Sequence, residues 1–457
     1  MIDKHFKNII VIALIIMSII SSTIILFTND NMYSFCLILL PIGYSILLLF
    51  YQLLTKHKPI YVGSLVIIAS YFMRMVLTPV AISISNYLVI KDVNIIYDQA
   101  IIFMLYEALC VFVILGLITK KSNDKEQKNE NNFKNVFSKK LLVFISFLSI
   151  ITLCCIFIYP QILKGFKIGI LSSRELIEWQ IAYNAAKESM PKLIFYLANW
   201  SIIILKEFLT FYLLIIIKNS KKIKKKLLLS IIIIGINLLI TDDTLAQSIY
   251  FALIYFSILM EMYPKKRRKI FMLLCISVLS IFVLGMVAIN SNNNKNFSYK
   301  LANTMQVYFS GIYNNAMAFE LQRENIPELI TGDFLTSLPL IKKFYIELNT
   351  SNKVFCLSLG DVYNSQILPT LGQSRLYFGN FLSPILSIIF AALTAFYEKK
   401  IQRKDNYFKE FIYYIVVIKC ACVPVLYNYS IFLSGLFNLI IPMLLLNILN
   451  GGKKSDT

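Results

Sequence analysis

The chain has 457 residues, 58% of them hydrophobic and only 15% charged, with a mean hydropathy of +0.69. Soluble domains use about 45–50% apolar and about 25% charged residues, so there are too few polar side chains to cover the roughly three soluble domains this length would make; secreted, cytosolic and disordered chains are excluded, and a polytopic membrane protein remains. The formal charge of +20, from 45 Lys and Arg against 25 Asp and Glu, reads in so apolar a chain as loop orientation rather than nucleic-acid binding.

A helix crosses the ~30 Å hydrocarbon core with about 20 apolar residues. Twelve such stretches follow one another, at 8–27, 32–54, 60–83, 98–118, 141–160, 191–217, 227–241, 245–263, 270–290, 375–397, 411–427 and 430–449. They predict an all-α fold, a single transmembrane domain over 1–457. Lys4 to Lys7 precede the first stretch and no small-residue cleavage site follows it, so it is a retained helix and not a signal peptide. With the N-terminus inside, the inner loops carry 29 Lys and Arg, and the outer loops carry six once the long segment 291–375 is set aside. That asymmetry places both termini in the cytoplasm. The runs Lys221–Lys226 and Lys265–Lys269 are orientation signals in this reading.

The longest inner connection, 119–140, is a polar linker without apolar residues enough for a core. No Walker A or GxGxxG pattern is present. Two outer segments exceed a turn, 161–190 and the large 291–374, so chemistry is expected to face outward. Of the eight cysteines only Cys356 falls in an outer segment, which excludes an outer disulfide framework. Both histidines, His5 and His57, are on inner segments. An outer site therefore has no His base, no Ser-His-Asp triad and no His-ligated metal.

Ionisable residues inside spans are costly and are functional candidates. Here they are Arg74, Glu107, Lys206, Glu207, Asp242, Asp243 and Lys419. At 1.5 Å per residue Arg74 and Glu107 both fall in the outer part of adjacent spans, where they can pair. The stretch Leu227–Ile240 is short, so the turn Thr241 to Thr244 should sit below the outer surface, with Asp242 and Asp243 at the floor of a polar cavity. Arginine is scarce, seven of the 45 cations. Four of the seven, Arg74, Arg174, Arg323 and Arg375, are in the outer half. Arg binds phosphate and carboxylate bidentately, so the set points to an anionic substrate at the outer leaflet.

Ser172 and Glu175 form a capping box that starts a helix. It carries Arg174, Glu178 and the interface-suited Trp179, and it is expected to lie on the outer membrane surface. Glycine is depleted, 15 in all, yet Gly332, Gly360, Gly372 and Gly379 cluster in or just after the large segment. The backbone there must turn tightly or approach something closely.

The span layout, with one large late outer segment and a smaller mid-chain one, resembles the Wzy-type O-antigen and capsule repeat-unit polymerases. So does the stretch Pro369 to Phe381, a Pro-x-x-Gly turn leading through Ser374 and Arg375 into Tyr377-x-Gly379-Asn380-Phe381. The resemblance implies a GT-C-like glycosyltransferase in the bacterial cytoplasmic membrane. It would transfer a glycan from undecaprenyl pyrophosphate to a hydroxyl of an incoming lipid-linked repeat unit. It implies no cofactor and no metal, and it implies as partners the lipid-linked donor and acceptor, membrane lipid and a chain-length regulator, with no nucleic acid. The family's arginines carry over to Arg174, Arg323 and Arg375, with Arg74 at membrane level. A carboxylate base would come from Glu178, Glu324, Asp333, Asp361 or the Asp242/Asp243 pair. Asp242, Asp243, Tyr377 and Asn380 are candidate substrate contacts. The competing readings are a lipid-linked oligosaccharide flippase and an ion or solute transporter. A flippase would favour small-residue helix interfaces and repeated halves, and this chain has neither in evidence.

Overall fold

The computed structural model describes residues 4–28, 35–56, 58–85, 94–121, 137–165, 173–239, 245–290, 297–338, 348–360, 366–401 and 407–450. The fold is all-helical, with no strand among the described residues. Seven helices there are long and apolar enough to cross a membrane: Phe6–Thr28, Cys36–Leu54, Val62–Ser85, Tyr97–Lys120, Lys139–Ile158, Leu193–Asn219 and Tyr429–Leu449. They match seven of the predicted stretches and make the chain a polytopic membrane protein in composition and architecture. The helix Lys139–Ile158 shows the solvent it was built for. Val143, Phe147, Ile150, Leu153 and Phe157 form one exposed stripe, with Phe157 89% exposed. Such a stripe is untenable in water and costs nothing against lipid tails.

The chain divides into two compact units. The first holds Met1–Lys125, Asn294–Lys399 and Val416–Ser434; the second holds Glu126–Asn293, Lys400–Ile415 and Gly435–Thr457. Tyr44, Tyr51, Tyr71, Phe72 and Phe112 pack edge-on or tilted in the core of the first unit. The buried Lys7 does more there than orient the first helix. Its ammonium donates to the carbonyl and hydroxyl of Thr55, both at 2.7 Å, and so caps the C-terminus of the helix Leu39–Leu54. In the second unit Phe137 packs on Phe208, Phe211 and Phe408, and Ile162, Met190, Phe195, Ala198 and Ile202 form a separate apolar cluster.

Two of the long helices contain a wider π-helical turn, at Met73–Leu77 and at Leu436–Ile440. In each a proline follows two residues later, Pro79 and Pro442. Proline has no N–H to give the carbonyl four residues back and its ring collides with that carbonyl, so the ladder widens to relieve both. In the first case the Thr78 hydroxyl takes over, donating to Met73 O at 2.8 Å.

The segment 291–374 is not an open loop where it is described. It contains the short helices Phe297–Tyr308, Ile312–Glu320, Ile326–Ser337 and Ser351–Ser358, and the start of Thr370–Phe378. Ala318, Leu321, Leu329, Phe355, Cys356, Leu368, Leu376, Tyr377 and Leu386 give these helices a common apolar core. The expected span at 375–397 needs correction. The helix Thr370–Phe378 stops at Gly379, whose φ of +86° is closed to other residues without strain, and a separate helix Ile385–Ile401 begins after Pro384. The Ser374 hydroxyl ties the break together, donating to Leu382 O at 3.2 Å and accepting from the Leu386 N–H at 3.4 Å. Arg375 therefore lies on a nine-residue helix of its own.

Candidate functional site: an arginine pair on a short helix

The helix Thr370–Phe378 is held at its start, its middle and its end. At its start the Thr370 hydroxyl lies 2.7 and 2.8 Å from the carbonyls of Val423 and Tyr427. In the middle it approaches the helix Ile312–Glu320 so closely that a methyl group on Gly372 would lie 2.4 Å from Ala318 Cβ. At its end the Arg323 guanidinium donates from Nε to Leu376 O at 3.1 Å and from Nη2 to Tyr377 O at 3.2 Å. These are carbonyls that a helix C-terminus leaves without partners, and a cation there also meets the favourable end of the helix dipole.

Arg375 returns the contact. Its Nη1 donates to Leu321 O at 2.8 Å and its Nε to Asn380 Oδ1 at 3.1 Å, while its guanidinium sits 5.4 Å over the Phe319 ring. The two arginines thus clamp each other's backbone. Gly379 makes room for this, since a Cβ there would come within 3.1 Å of Arg323 Nη1. Arg323 is exposed and Arg375 half-buried. Burial, and next the like charge of Arg323, lower the Arg375 guanidinium from its ordinary value. Neither arginine forms an ion pair among the described residues. Each guanidinium has five N–H donors, and each spends two on the partners just named. Three on each have no hydrogen-bond partner among the described residues.

The opposite face of this helix, through Gln373 and Tyr377, meets a buried carboxylate on the helix Ile326–Ser337. Asp333 is wholly enclosed, and it accepts from the Ser351 N–H at 3.2 Å, the Ser351 hydroxyl, the Gln373 amide at 3.1 Å and the Tyr377 hydroxyl. Gln373 also accepts from the Tyr429 N–H at 2.9 Å. Hydrogen bonds of this kind offset the cost of burying a charge without a counterion. Burial, and next the Asp333 charge, push the Tyr377 hydroxyl well above its ordinary value, so it stays a donor. Gln373 and Tyr377, one turn apart, fix the rotation of the helix about its axis and thereby where Arg375 points. Asp333 thus anchors the helix that carries Arg375.

Arg74 and Glu107 meet as their depth predicted, Nη1 to Oε2 at 2.6 Å, with both side chains fully buried. The Ser387 hydroxyl donates to the other carboxylate oxygen. Arg74 Nε and Nη2 have no hydrogen-bond partner, and its guanidinium lies 5.9 Å from the Tyr71 ring centroid. Of the other charges inside spans, Lys206 and Glu207 are 3.9 Å apart and Lys419 lies 5.6 Å over the Tyr427 ring.

The structure thus brings Arg323, Arg375 and Asn380 together. Tyr377 is turned to Asp333 rather than outward, and Arg74 is enclosed with Glu107. Glu324 is exposed in the turn after Arg323. Arg174 and Glu178 lie on the helix Ser173–Glu188, which begins where the capping box placed it; Glu178 is exposed, and Trp179 stacks on Tyr183 at 5.1 Å. The Arg174 side chain, Ser172, Asp242, Asp243 and Asp361 lie outside the described residues, and so does the turn expected to floor a cavity. Gln373, Ser351 and the carbonyl of Leu321 went unnoticed in the sequence. They signal nothing by type or spacing, because their role depends on distant segments meeting. No family model matches the chain, and no curated protein and no solved structure matches it.

Proposed function

We propose that this protein polymerises undecaprenyl-pyrophosphate-linked oligosaccharide repeat units into surface polysaccharide, O-antigen or capsule, at the outer face of the bacterial cytoplasmic membrane. On this reading it is a glycosyltransferase of GT-C-like architecture with about twelve transmembrane helices and both termini inside. The supporting observation is the pair Arg323 and Arg375, two adjacent guanidiniums with unspent donors and no ion pair among the described residues.

The reaction breaks the bond between the donor sugar's anomeric carbon and the pyrophosphate oxygen, and forms a bond from that carbon to an acceptor hydroxyl. Negative charge grows on the departing pyrophosphate. Donors already fixed in place stabilise such charge without reorganising during the step. Arg323 and Arg375 are fixed in this way, by the carbonyls of Leu376, Tyr377 and Leu321, and their forks match phosphate oxygens. The acceptor proton must pass to a base, for which Asp361, Glu178, Glu324 and the Asp242/Asp243 pair remain the sequence candidates. Asp333 is unsuited to that role, since its oxygens are occupied by Ser351, Gln373 and Tyr377. The donor and acceptor glycolipids are the partners this reading requires, with a chain-length regulator beside them.

Purified protein supplied with lipid-linked repeat units should produce a ladder of glycan lengths, and Arg375→Ala should abolish the ladder while single repeat units still reach the cell surface. Surface glycans of normal length in a deletion strain would sink the proposal. Transbilayer movement of the lipid without any product would assign the protein to the flippases instead.

A further inference from the structure

The second unit gathers positive charge at one end of four helices. The helices Lys192–Asn219 and Ile223–Leu239 are joined by a connection of three residues, and Leu245–Met262 and Arg267–Asn290 by one of four, which includes a single short turn. Two contacts clip these hairpins together. Lys218 Nζ donates to Met262 O, and Lys226 Nζ reaches the Tyr263 hydroxyl at 3.4 Å. Both ammoniums also lie over the Tyr263 ring, at 5.0 and 5.3 Å from its centroid. Arg267 turns inward as well, bonding Met260 O at 3.0 Å and Glu261 at 3.3 Å.

Lys218 and Arg267 serve the fold by capping the end of Leu245–Met262, and Lys226 by holding the Tyr263 side chain. Six lysines are placed differently. Lys222, Lys224 and Lys225 on one hairpin, and Lys265, Lys266 and Lys269 on the other, are exposed and have no acidic partner among the described residues. Glu261 is the single carboxylate in 218–226 and 260–269, and Arg267 occupies it. Orientation by the positive-inside rule requires cations near each helix end. It does not require two cationic hairpins to be clipped side by side, where their charges repel one another.

We propose that the two clipped hairpins form a binding site for the phosphate headgroup of an anionic phospholipid. Charge beside an exposed apolar face selects this occupant. The lysines stand at the ends of these four helices, one of which, Leu193–Asn219, is long and apolar enough to cross a membrane, on the side that the loop charges assign to the cytoplasm. Below them the helix Ile223–Leu239 presents an exposed apolar face, Leu227, Leu228 and Ile231, against which acyl chains can lie. Basic clusters between membrane helices bind acidic lipid headgroups in this manner. The site is remote in sequence from the arginine pair, and it stands whatever reaction that pair serves.

The test uses full-length purified protein in neutral detergent, titrated with phosphatidylglycerol, cardiolipin or phosphatidylcholine, with bound lipid counted by native mass spectrometry. One or both acidic lipids should bind and phosphatidylcholine should not; which of the two binds tighter identifies the headgroup. The variants Lys224→Gln/Lys225→Gln and Lys265→Gln/Lys266→Gln should each weaken acidic-lipid binding roughly tenfold or more. The charge-matched control Lys139→Gln/Lys140→Gln, at an exposed helix start in the same unit, should not change it. All six positions are exposed, so the variants should keep the parent's melting temperature. Equal binding of phosphatidylcholine, undiminished binding in both hairpin variants, or equal loss in the control overturns the proposal. So does a co-purifying polypeptide, in place of lipid, that the same substitutions release.

Discussion

Arg74 and Arg375 belong to the same compact unit and answer the problem of a positive charge in an apolar chain in opposite ways. Arg74 is buried against Glu107, so its charge is cancelled where it sits. Arg375 stands beside a second arginine and is steadied by carbonyl and amide oxygens, which anchor a guanidinium without neutralising it. The first arrangement consumes the charge inside the protein. The second keeps the charge, and on the proposed function several donors as well, for an anion from outside. An arginine in a membrane protein is thus a weak functional sign by itself, and the identity of its oxygen partners separates a structural rivet from a binding group.

That contrast can be broken most forcefully at Glu107. Replacing it by leucine leaves Arg74 buried without a counter-charge, which should cost about 3–5 kcal/mol. The double change Arg74→Met/Glu107→Leu removes both charges and should restore most of the loss. Thermal unfolding of the detergent-purified protein reads the difference; equal destabilisation by the single and double changes would contradict the rivet reading.

The Asp333 network is the next largest. Asp333→Ala removes the acceptor shared by the Tyr377 hydroxyl, the Gln373 amide and Ser351, and leaves the Ser351 N–H without it inside the core, at about 1–3 kcal/mol for a buried donor left unsatisfied. Tyr377→Phe removes only one donor and should cost less. Both should also weaken pyrophosphate binding, since they loosen the helix that aims Arg375. If pyrophosphate affinity is unmoved while stability falls, Asp333 holds the core and positions nothing. Gly372→Ala probes the same helix from its packed side. Its methyl would overlap Ala318, and overpacking of this sort costs about 1–3 kcal/mol; an unchanged melting temperature would show that the two helices are not in close contact.

How far the sequence foretold these features depends on how local their causes are. The meeting of Arg74 and Glu107 was legible because two uninterrupted apolar runs convert residue counts into depth. The start of the helix at Ser173 was legible because a capping box is a four-residue pattern. The crowding of glycines near Arg375 announced close approaches, and Gly372 and Gly379 supply them. The break at Gly379 was passed over although Gly379-Asn380 and Ser383-Pro384 are turn signals, because the apolar run from Ile385 onward dominates the hydropathy of the whole stretch. The wider turns before Pro79 and Pro442 were hidden for a related reason, since proline is tolerated inside membrane helices. The partners of Asp333 come from residues 351, 373 and 377, and nothing in one stretch of sequence says that the others will arrive there.

The smallest expected effect on stability carries the most weight for function. Arg375→Lys keeps the positive charge and the aliphatic stem but replaces a planar five-donor fork by a point charge. The bonds to Leu321 O and Asn380 Oδ1 are two among the many that hold this helix, so stability should fall by only about 1 kcal/mol. Phosphate recognition should suffer far more, because a lysine cannot engage two oxygens in one plane. Pyrophosphate titration of the purified variant should therefore show affinity reduced roughly tenfold with a nearly unchanged melting temperature. Arg74→Lys is the counterpart, and it should alter the melting temperature while leaving pyrophosphate affinity as it was. A variant pair that behaved the other way round would make Arg375 the rivet and Arg74 the binding group, and would move the search for the anion site from the short helix to the core of the unit.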